Sequence, residues 1–368
     1  MEGTHYQLTP LDRLFLERSY ELAARAIGNT SPNPPVGAVI VRDGYVVGEG
    51  YHHRAGSPHA EANALAQAGT QARGATAYVS LEPCRHVGRT PPCTHALVQA
   101  GVVRVVAGAL DPTAFGGGAA ELRERGISVS VAGDAAARDL IEIFARATGG
   151  KRPYVALKMA MSLDGRIASR PGVRERLASE TEQRYVRELR SAHDAVMVGA
   201  GTVRVDDPQL TVRPPHDRIR PYVRVVAAGS TPLPSGARIL AAHEGYATTI
   251  VLAPSALCDR FAELQNIADV VKIGDANDVV LDLGLALQGL RERGIASVLC
   301  EGGPRLGAAL LAARLVDRVY WAVAPRFLAS DAAVPVLWGA DASSVHVNFD
   351  RMERLGDDVL ISGTLVHV

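Results

Sequence analysis

Residues 75–109 read ATAYVSLEPCRHVGRTPPCTHALVQAGVVRVVAGA. Two apolar runs, Ala75–Leu81 and Val102–Ala109, bracket a Pro-rich loop and a segment that starts a helix near Cys93. A strand, a crossover helix and a second buried strand make up the repeating unit of a parallel sheet. Upstream, Val36–Val41 and Tyr45–Gly50 flank Asp43-Gly44, a strong hairpin signal. A helix is predicted from His59 to Ala68. Another is predicted over residues 10–27, with Thr9 as N-cap, Pro10 in the first turn and Gly28 closing it. Downstream, Leu122–Arg125, Ile127–Val131 and Ala135–Ala147 continue the alternation. The pattern predicts a three-layer α/β/α domain.

Gly149-Gly150-Lys151-Arg152-Pro153 interrupts the chain, and the apolar run Tyr154–Met161 follows directly. Gly and Pro together end a helix, so the expected domains are 1–150 and 151–368. The second half is also α/β. Its expected strands are Ala195–Gly199, Arg224–Ala228, Thr249–Ala253, Val270–Ile273, Ser297–Cys300 and Arg318–Val323. Helices are expected near 180–192, 255–265, 285–293 and 304–313, and residues 203–222 and 230–247 read as long loops.

His59-Ala60-Glu61 opens a helix, and Pro83-Cys84 and Cys93 complete the group within 35 residues. A hydrolytic zinc site takes three protein ligands and leaves one position open. One imidazole, His59, and two thiolates, Cys84 and Cys93, supply those three. Glu61 stands close enough to move protons as general acid and base without ligating. The order resembles the H-x-E…P-C-x-x-C pattern of zinc deaminases, with eight residues between the cysteines here instead of two. His52, His53, His86 and His95 are competing imidazoles, and His59 is preferred for its helical placement beside Glu61. In the second half, Gly302-Gly303-Pro304 allows close backbone approach at a helix start, and Gly199-Ala200-Gly201-Thr202 makes a second such turn. Neither is a dinucleotide-binding GxGxxG.

Composition narrows the partners. The 368 residues hold 39 Lys+Arg and 39 Asp+Glu, for zero formal charge, so adhesion to nucleic acid or anionic membranes is not expected. No apolar run approaches the roughly 18 residues of a membrane span. The first 28 residues lack a secretory apolar block, and four cysteines make no disulfide framework, so the expected compartment is the cytoplasm.

The segments SPNPPVGAVIV, GSPHAEANAL, YVSLEPCRHVGRTPPC and RVVAGALDP resemble the deaminase half of the bifunctional riboflavin-biosynthesis deaminase/reductases. RPYVALKMAMSLDGRIA, LRSAHDAVMVGAGTVRVDDPQLTVR and SVLCEGGPRLGAALL resemble the reductase half. The resemblance implies a cytidine-deaminase-like domain followed by a dihydrofolate-reductase-like α/β domain. It implies zinc and NADPH as cofactors, and a homo-oligomer, dimer or tetramer. The implied substrate is 2,5-diamino-6-(ribosylamino)pyrimidin-4-one 5′-phosphate, deaminated and then reduced from ribosyl to ribityl.

On the matching positions, the resemblance implies that Asn33, His52, Arg89 and Asp111 meet the deaminase substrate. Arg190, Asp207, Leu210, Arg213 and Glu301 would meet the reductase substrate. Lys158, Gly199, Gly201, Thr202, Gly302 and Gly303 would meet the cofactor, and Asp164 lies in the same opening segment. Two departures stand out. Thr113 replaces an Asn expected to touch substrate, and Leu177-Ala178-Ser179 replaces a Trp-Ile-Thr stretch. Two other readings remain open: a related enzyme acting on another nucleobase, and a zinc-stabilised binding module with a degenerate second half.

Overall fold

In the computed structural model the chain divides into two compact units, Met1–Gly149 and Gly150–Val368. The structure describes residues 8–86, 91–212, 218 and 220–367.

In unit 1, helix α1 (Pro10–Ala24) starts on a capping box in which Thr9 and Asp12 bond each other's backbone N–H. Strands β1 (Gly37–Arg42) and β2 (Tyr45–Tyr51) form the hairpin over Asp43-Gly44, both at positive φ. Then come α2 (Ala60–Ala68), β3 (Thr76–Leu81), α3 (Cys93–Gln99), β4 (Arg104–Ala109), α4 (Gly118–Glu124), β5 (Ser128–Val131) and α5 (Ala135–Ala147). The sheet order is β2-β1-β3-β4-β5, antiparallel around β1 and parallel from β3 to β5.

Period-two alternation builds two apolar layers. Ala38, Ile40, Ala77, Val79 and Val105 pack against Ala60, Ala64, Leu97 and Leu122 of α2, α3 and α4. Val39, Val41, Tyr78 and Val106 face Phe15, Leu16 and Leu22 of α1, and Leu81 and Ala109 meet Ala137 and Ile141 of α5. Glycine lets α2 approach β2 closely: a Cβ on Gly48 would lie 2.2 Å from the Ala64 carbonyl oxygen. The alanine face of α2 thus rests directly on backbone, which fixes the helix end that carries His59.

In unit 2 the order is β6 (Tyr154–Ser162), β7 (Arg166–Ala168), α6 (Glu180–Ala192), β8 (Ala195–Gly199), α7 (Ala200–Asp206), β9 (Val223–Ala227), β10 (Thr249–Pro254), β11 (Ala268–Ile273), α8 (Leu283–Glu292), β12 (Ser297–Cys300), α9 (Pro304–Ala312), β13 (Arg318–Ala324), β14 (Val334–Pro335), β15 (Val345–Leu355) and β16 (Asp358–His367). Nine strands form one sheet in the order β11-β10-β9-β8-β12-β6-β13-β16-β15. It is parallel from β11 to β13 and ends in the antiparallel β15–β16 pair. Leu157, Met197 and Val225 face α8 and α9, while Val198, Val226 and Val251 face Val203, Phe261 and Leu264. With both faces covered, the strands read as continuous apolar runs.

Three sequence expectations change here. Residues 203–206, read as the start of a loop, complete α7, because Val203 is buried against the sheet. Ser255–Leu264 is a ten-residue 3-10 helix rather than an α-helix. The β15–β16 hairpin escaped the sequence reading. Phe349 and Met352 are exposed, so its polar/apolar alternation is weak.

Candidate active sites

The first site gathers at helix ends. His59 is the N-cap residue of α2, Glu61 lies in that helix's first turn, Cys84 follows β3, and Cys93 is the first residue of α3. His59 Nδ1 lies 3.5 Å from Cys84 Sγ and 3.3 Å from Cys93 Sγ. All three donor atoms fall within 4.8 Å of one another. Tetrahedral zinc with ordinary Zn–N and Zn–S bonds sets an N···S separation of about 3.6 Å. The donor set and its spacing therefore fit zinc. Of the competing imidazoles, His52 is buried and already committed: Nδ1 donates to the Pro58 carbonyl and Nε2 accepts from Asn33, each at 3.1 Å.

Cys93 N–H points at Cys84 Sγ from 3.4 Å. The hydrogen bond from the Cys93 thiol, reinforced by His59, pulls the Cys84 thiol down to about 4. The same bond, followed by burial, holds Cys93 well above the ordinary thiol range. Glu61 is 3% exposed. Burial, with the Cys84 charge adding to it, pushes its carboxyl up to about 7, the range in which a group can both take and return a proton.

A second carboxylate supports this centre and went unnoticed in the sequence. Buried Glu82 accepts from the Asp111 N–H at 3.0 Å and the Ala119 N–H at 2.7 Å, tying the 111–117 loop and α4 to the residue before Pro83-Cys84. An acid at the end of an otherwise buried strand was the available signal. Arg85 adds a bond to the Gly116 carbonyl at 2.8 Å. Asp111 is turned inward, its carboxylate accepting from Thr113 N–H at 2.9 Å. The Thr113 hydroxyl accepts from Phe115 N–H at 3.3 Å, which closes a turn in this loop. Arg89 lies outside the described residues.

The second site is a cleft of about 1250 Å³ in unit 2. It opens where β6, β8 and β12 end, and there the strand order turns back: β12 inserts between β6 and β8, and later strands lie on either side. Crevices of this kind are the usual ligand sites of open α/β sheets. Lys158, Gly199, Gly201, Thr202, Arg190, Asp207, Leu210, Glu301 and Gly303 all line it. Gly302 and Gly303 have φ of 82° and 89°, and a Cβ on Gly302 would lie 2.5 Å from Met159 Sδ. Gly201 faces open space. The glycine edge therefore leaves room for a flat ligand against backbone.

Two cations of the cleft, Arg190 and Lys158, are paired with acids. Arg190 makes a two-pronged contact with Glu301, including Nη2–Oε2 at 2.7 Å, and Lys158 pairs with Glu182. Ser179 caps α6, its hydroxyl accepting from Glu182 N–H at 3.2 Å, while its own N–H donates to Asp358 and the Glu182 carboxylate meets Lys158. Asp207 sits at φ 41° and accepts from Arg238 N–H at 2.8 Å. Leu210 is buried in the apolar layer with Val203 and contributes wall only. Asp164 accepts from Ser162 and from Leu328 N–H and is not on the cleft wall. Arg213 lies outside the described residues.

Such a molecule is a zinc deaminase joined in one chain to a second enzyme built on a parallel sheet. The cytidine and deoxycytidylate deaminase zinc-binding region matches residues 10–109, and the RibD C-terminal domain matches residues 153–361. The chain belongs to the RibD family, the bifunctional deaminase/reductases of riboflavin biosynthesis. It is 36% identical to riboflavin biosynthesis protein RibD of Aquifex aeolicus, over 95% of this chain and 98% of that one. It is 38% identical to the Escherichia coli protein of the same name, with the same coverage. Among solved structures, Acinetobacter baumannii RibD superposes with a TM-score of 0.80 at 35% identity, covering 97% of this chain and 99% of that one. The Thermotoga maritima diaminohydroxyphosphoribosylaminopyrimidine deaminase/5-amino-6-(5-phosphoribosylamino)uracil reductase gives 0.80 at 32% identity, covering 96% and 98%. Among the described residues no helix is long and apolar enough to cross a membrane, and all four cysteines are free.

Proposed function

We propose that residues 1–150 deaminate the pyrimidine ring of a diaminopyrimidine ribosyl phosphate and that residues 151–368 reduce the ribosyl chain of the product to ribityl. The supporting observation is the convergence of His59 Nδ1 on two thiols at 3.3 and 3.5 Å beside buried Glu61. His59, Cys84 and Cys93 hold the metal. Zinc, when bound, acidifies a water and makes it a nucleophile near neutral pH. Glu61 accepts the proton of the attacking water on a carboxylate oxygen and returns it to the departing amine, so that ammonia leaves. His52 holds the Asn33 side-chain amide through its Nε2, which orients that amide toward the base. Asp111 shapes the substrate loop through its bond to Thr113 N–H, and Arg89 meets the phosphate.

In unit 2, Arg190 and Glu301 present a matched cation and anion to the ribosyl hydroxyls. Asp207 and Leu210 form the wall beside them, and Arg213 takes the phosphate. NADPH, when bound, supplies the hydride. Gly199, Gly201, Thr202, Gly302 and Gly303 give it a backbone edge, and Lys158, braced by Glu182, faces it. The protein acts in the cytoplasm on small molecules and assembles as a homo-oligomer.

The deciding experiment is Glu61→Gln. The variant keeps one zinc per chain by elemental analysis, loses ammonia release by several orders of magnitude, and still oxidises NADPH when given the deaminated intermediate. Ammonia release near the wild-type rate would remove Glu61 from the mechanism.

A further inference from the structure

The strand directions of unit 1 place several loops on one edge of its sheet. Strand β1 runs antiparallel to both β2 and β3, and β3 runs parallel to β4. The start of β1 and the ends of β2, β3 and β4 therefore share that edge, in the order β2-β1-β3-β4. His52 follows β2, Asn33 precedes β1, Cys84 follows β3, and the 111–117 loop follows β4. Cys84 thus stands between two flanks. One is polar, the hydrogen-bonded Asn33–His52 pair. The other carries an aromatic ring, Phe115, which is 51% exposed. Its centroid lies 5.0 Å from that of His86, two residues beyond Cys84, with the planes tilted at 41°.

The backbone beneath Phe115 is held at each end and in the middle. Glu82 accepts from Asp111 N–H and Ala119 N–H, Arg85 Nε donates to the Gly116 carbonyl, and Thr113 accepts from Phe115 N–H. A Cβ on Gly116 would lie 2.5 Å from the Asp111 carbonyl oxygen, so the chain folds back as tightly as glycine allows. Phe115 belongs to none of the apolar layers described above for unit 1. Its outer surface gains no burial in the free protein. An apolar ring on a fixed loop gives up little freedom when a ligand covers it, so most of the burial appears as affinity. The complement of such a ring is another flat ring. We infer that Phe115 is a specificity-determining residue of the deamination, packing on the face of the pyrimidine while Asn33 meets its polar edge from the opposite flank. The inference rests on the reading that unit 1 deaminates a pyrimidine.

The test uses the full-length, zinc-loaded protein and the diaminopyrimidine ribosyl phosphate. Phe115→Ala should raise the KM for ammonia release roughly 5- to 150-fold, the loss expected for one base–aromatic stack. Its kcat should change less than threefold, because the ring touches neither the metal ligands nor Glu61. Phe115→Tyr, which keeps the ring face, should recover most of the loss, and Phe115→Leu, apolar but without a ring, only part of it. Calorimetry in the Glu61→Gln background, where substrate binds without turnover, should show Phe115→Ala weakening the Kd by the same factor. Elemental analysis should find one zinc per chain in every variant, which separates lost stacking from a damaged centre. A KM in Phe115→Ala less than fivefold above wild type, equal losses in the Ala and Tyr variants, a defect confined to kcat, or zinc lost along with affinity would each overturn the assignment. Failure of the unmodified protein to release ammonia from the diaminopyrimidine would instead overturn the deaminase reading beneath it.

Discussion

Gly118→Ala is expected to damage the zinc centre without touching a ligand. Gly118 is the first residue of α4, and a Cβ there would lie 1.8 Å from the Pro83 carbonyl oxygen and 3.0 Å from its carbon. Real Cβ contacts essentially never fall below 3.0 Å, so the Pro83 carbonyl or the start of α4 must move by about 1.2 Å. The α4 side is held by the Glu82 bond to Ala119 N–H, which leaves the segment entering Cys84 to give way. A zinc site tolerates about 0.2 Å of error in its bond lengths. Overpacking of this kind costs about 1–3 kcal/mol. If that strain is relieved when Cys84 leaves the metal, zinc affinity falls roughly 5- to 150-fold. Competition with a chromogenic chelator would measure the loss. Gly289→Ala in α8 is the control, because its Cβ would meet nothing nearer than 3.9 Å. Wild-type zinc affinity and ammonia release in Gly118→Ala would refute the idea that this contact positions Cys84.

Cys84→Ser should leave the purified protein with well under one zinc per chain, since the hydroxyl is a far poorer ligand than the thiolate; full stoichiometry by elemental analysis would contradict the ligand set. His193 gives unit 2 an acid sensitivity. Burial, opposed by its bond to the Leu189 carbonyl, holds the ring at about 4 instead of 6.5. Because the folded pKa lies below the unfolded one, stability is full above pH 6.5 and declines as pH falls toward 4. That amounts to about 2 kcal/mol between pH 7 and 5. His193→Asn should flatten this dependence in urea melts followed by tryptophan emission, and an unchanged slope would count against it. Gly302→Ala, at φ 82° and facing Met159 Sδ, should cost about 1–3 kcal/mol of unit 2 stability and weaken NADPH, as read by thermal shift with and without the dinucleotide.

The zinc centre was legible because its parts are local. His59 and Cys93 sit at helix starts that Gly and Pro punctuation makes visible, and thiolate and imidazole chemistry leaves few uses for the set. The central strands were legible because burial on both faces leaves unbroken apolar runs. What escaped depends on partners distant in sequence. Glu82 has meaning only once Asp111 and Ala119 bring their N–H groups to it. Glu182 has its role only once Lys158, on a different element, is brought beside it. Thr113 reads in the sequence only as the loss of an amide expected to touch substrate; that its hydroxyl accepts from Phe115 N–H shows only in the folded loop. An indole was missed at position 177, yet Leu177 and Trp338 line the same cleft from different segments. Linear pattern carries no record of which loop fills a given space.

The placement of β6 bears on how the protein is made. It is the first strand of unit 2, yet both of its sheet neighbours, β12 and β13, come from residues 297–324. During synthesis the five strands of the N-terminal sheet are all available once residue 131 has emerged. By contrast, Tyr154–Ser162 must wait for more than a hundred further residues before either flank can pair. Until then an apolar strand with two open edges is exposed to other nascent chains. A ribosome that stops before residue 297 would therefore release a polypeptide in which β8, β9, β10 and β11 can pair but β6 has neither of its neighbours. That truncated product is the one expected to burden chaperones and form aggregates.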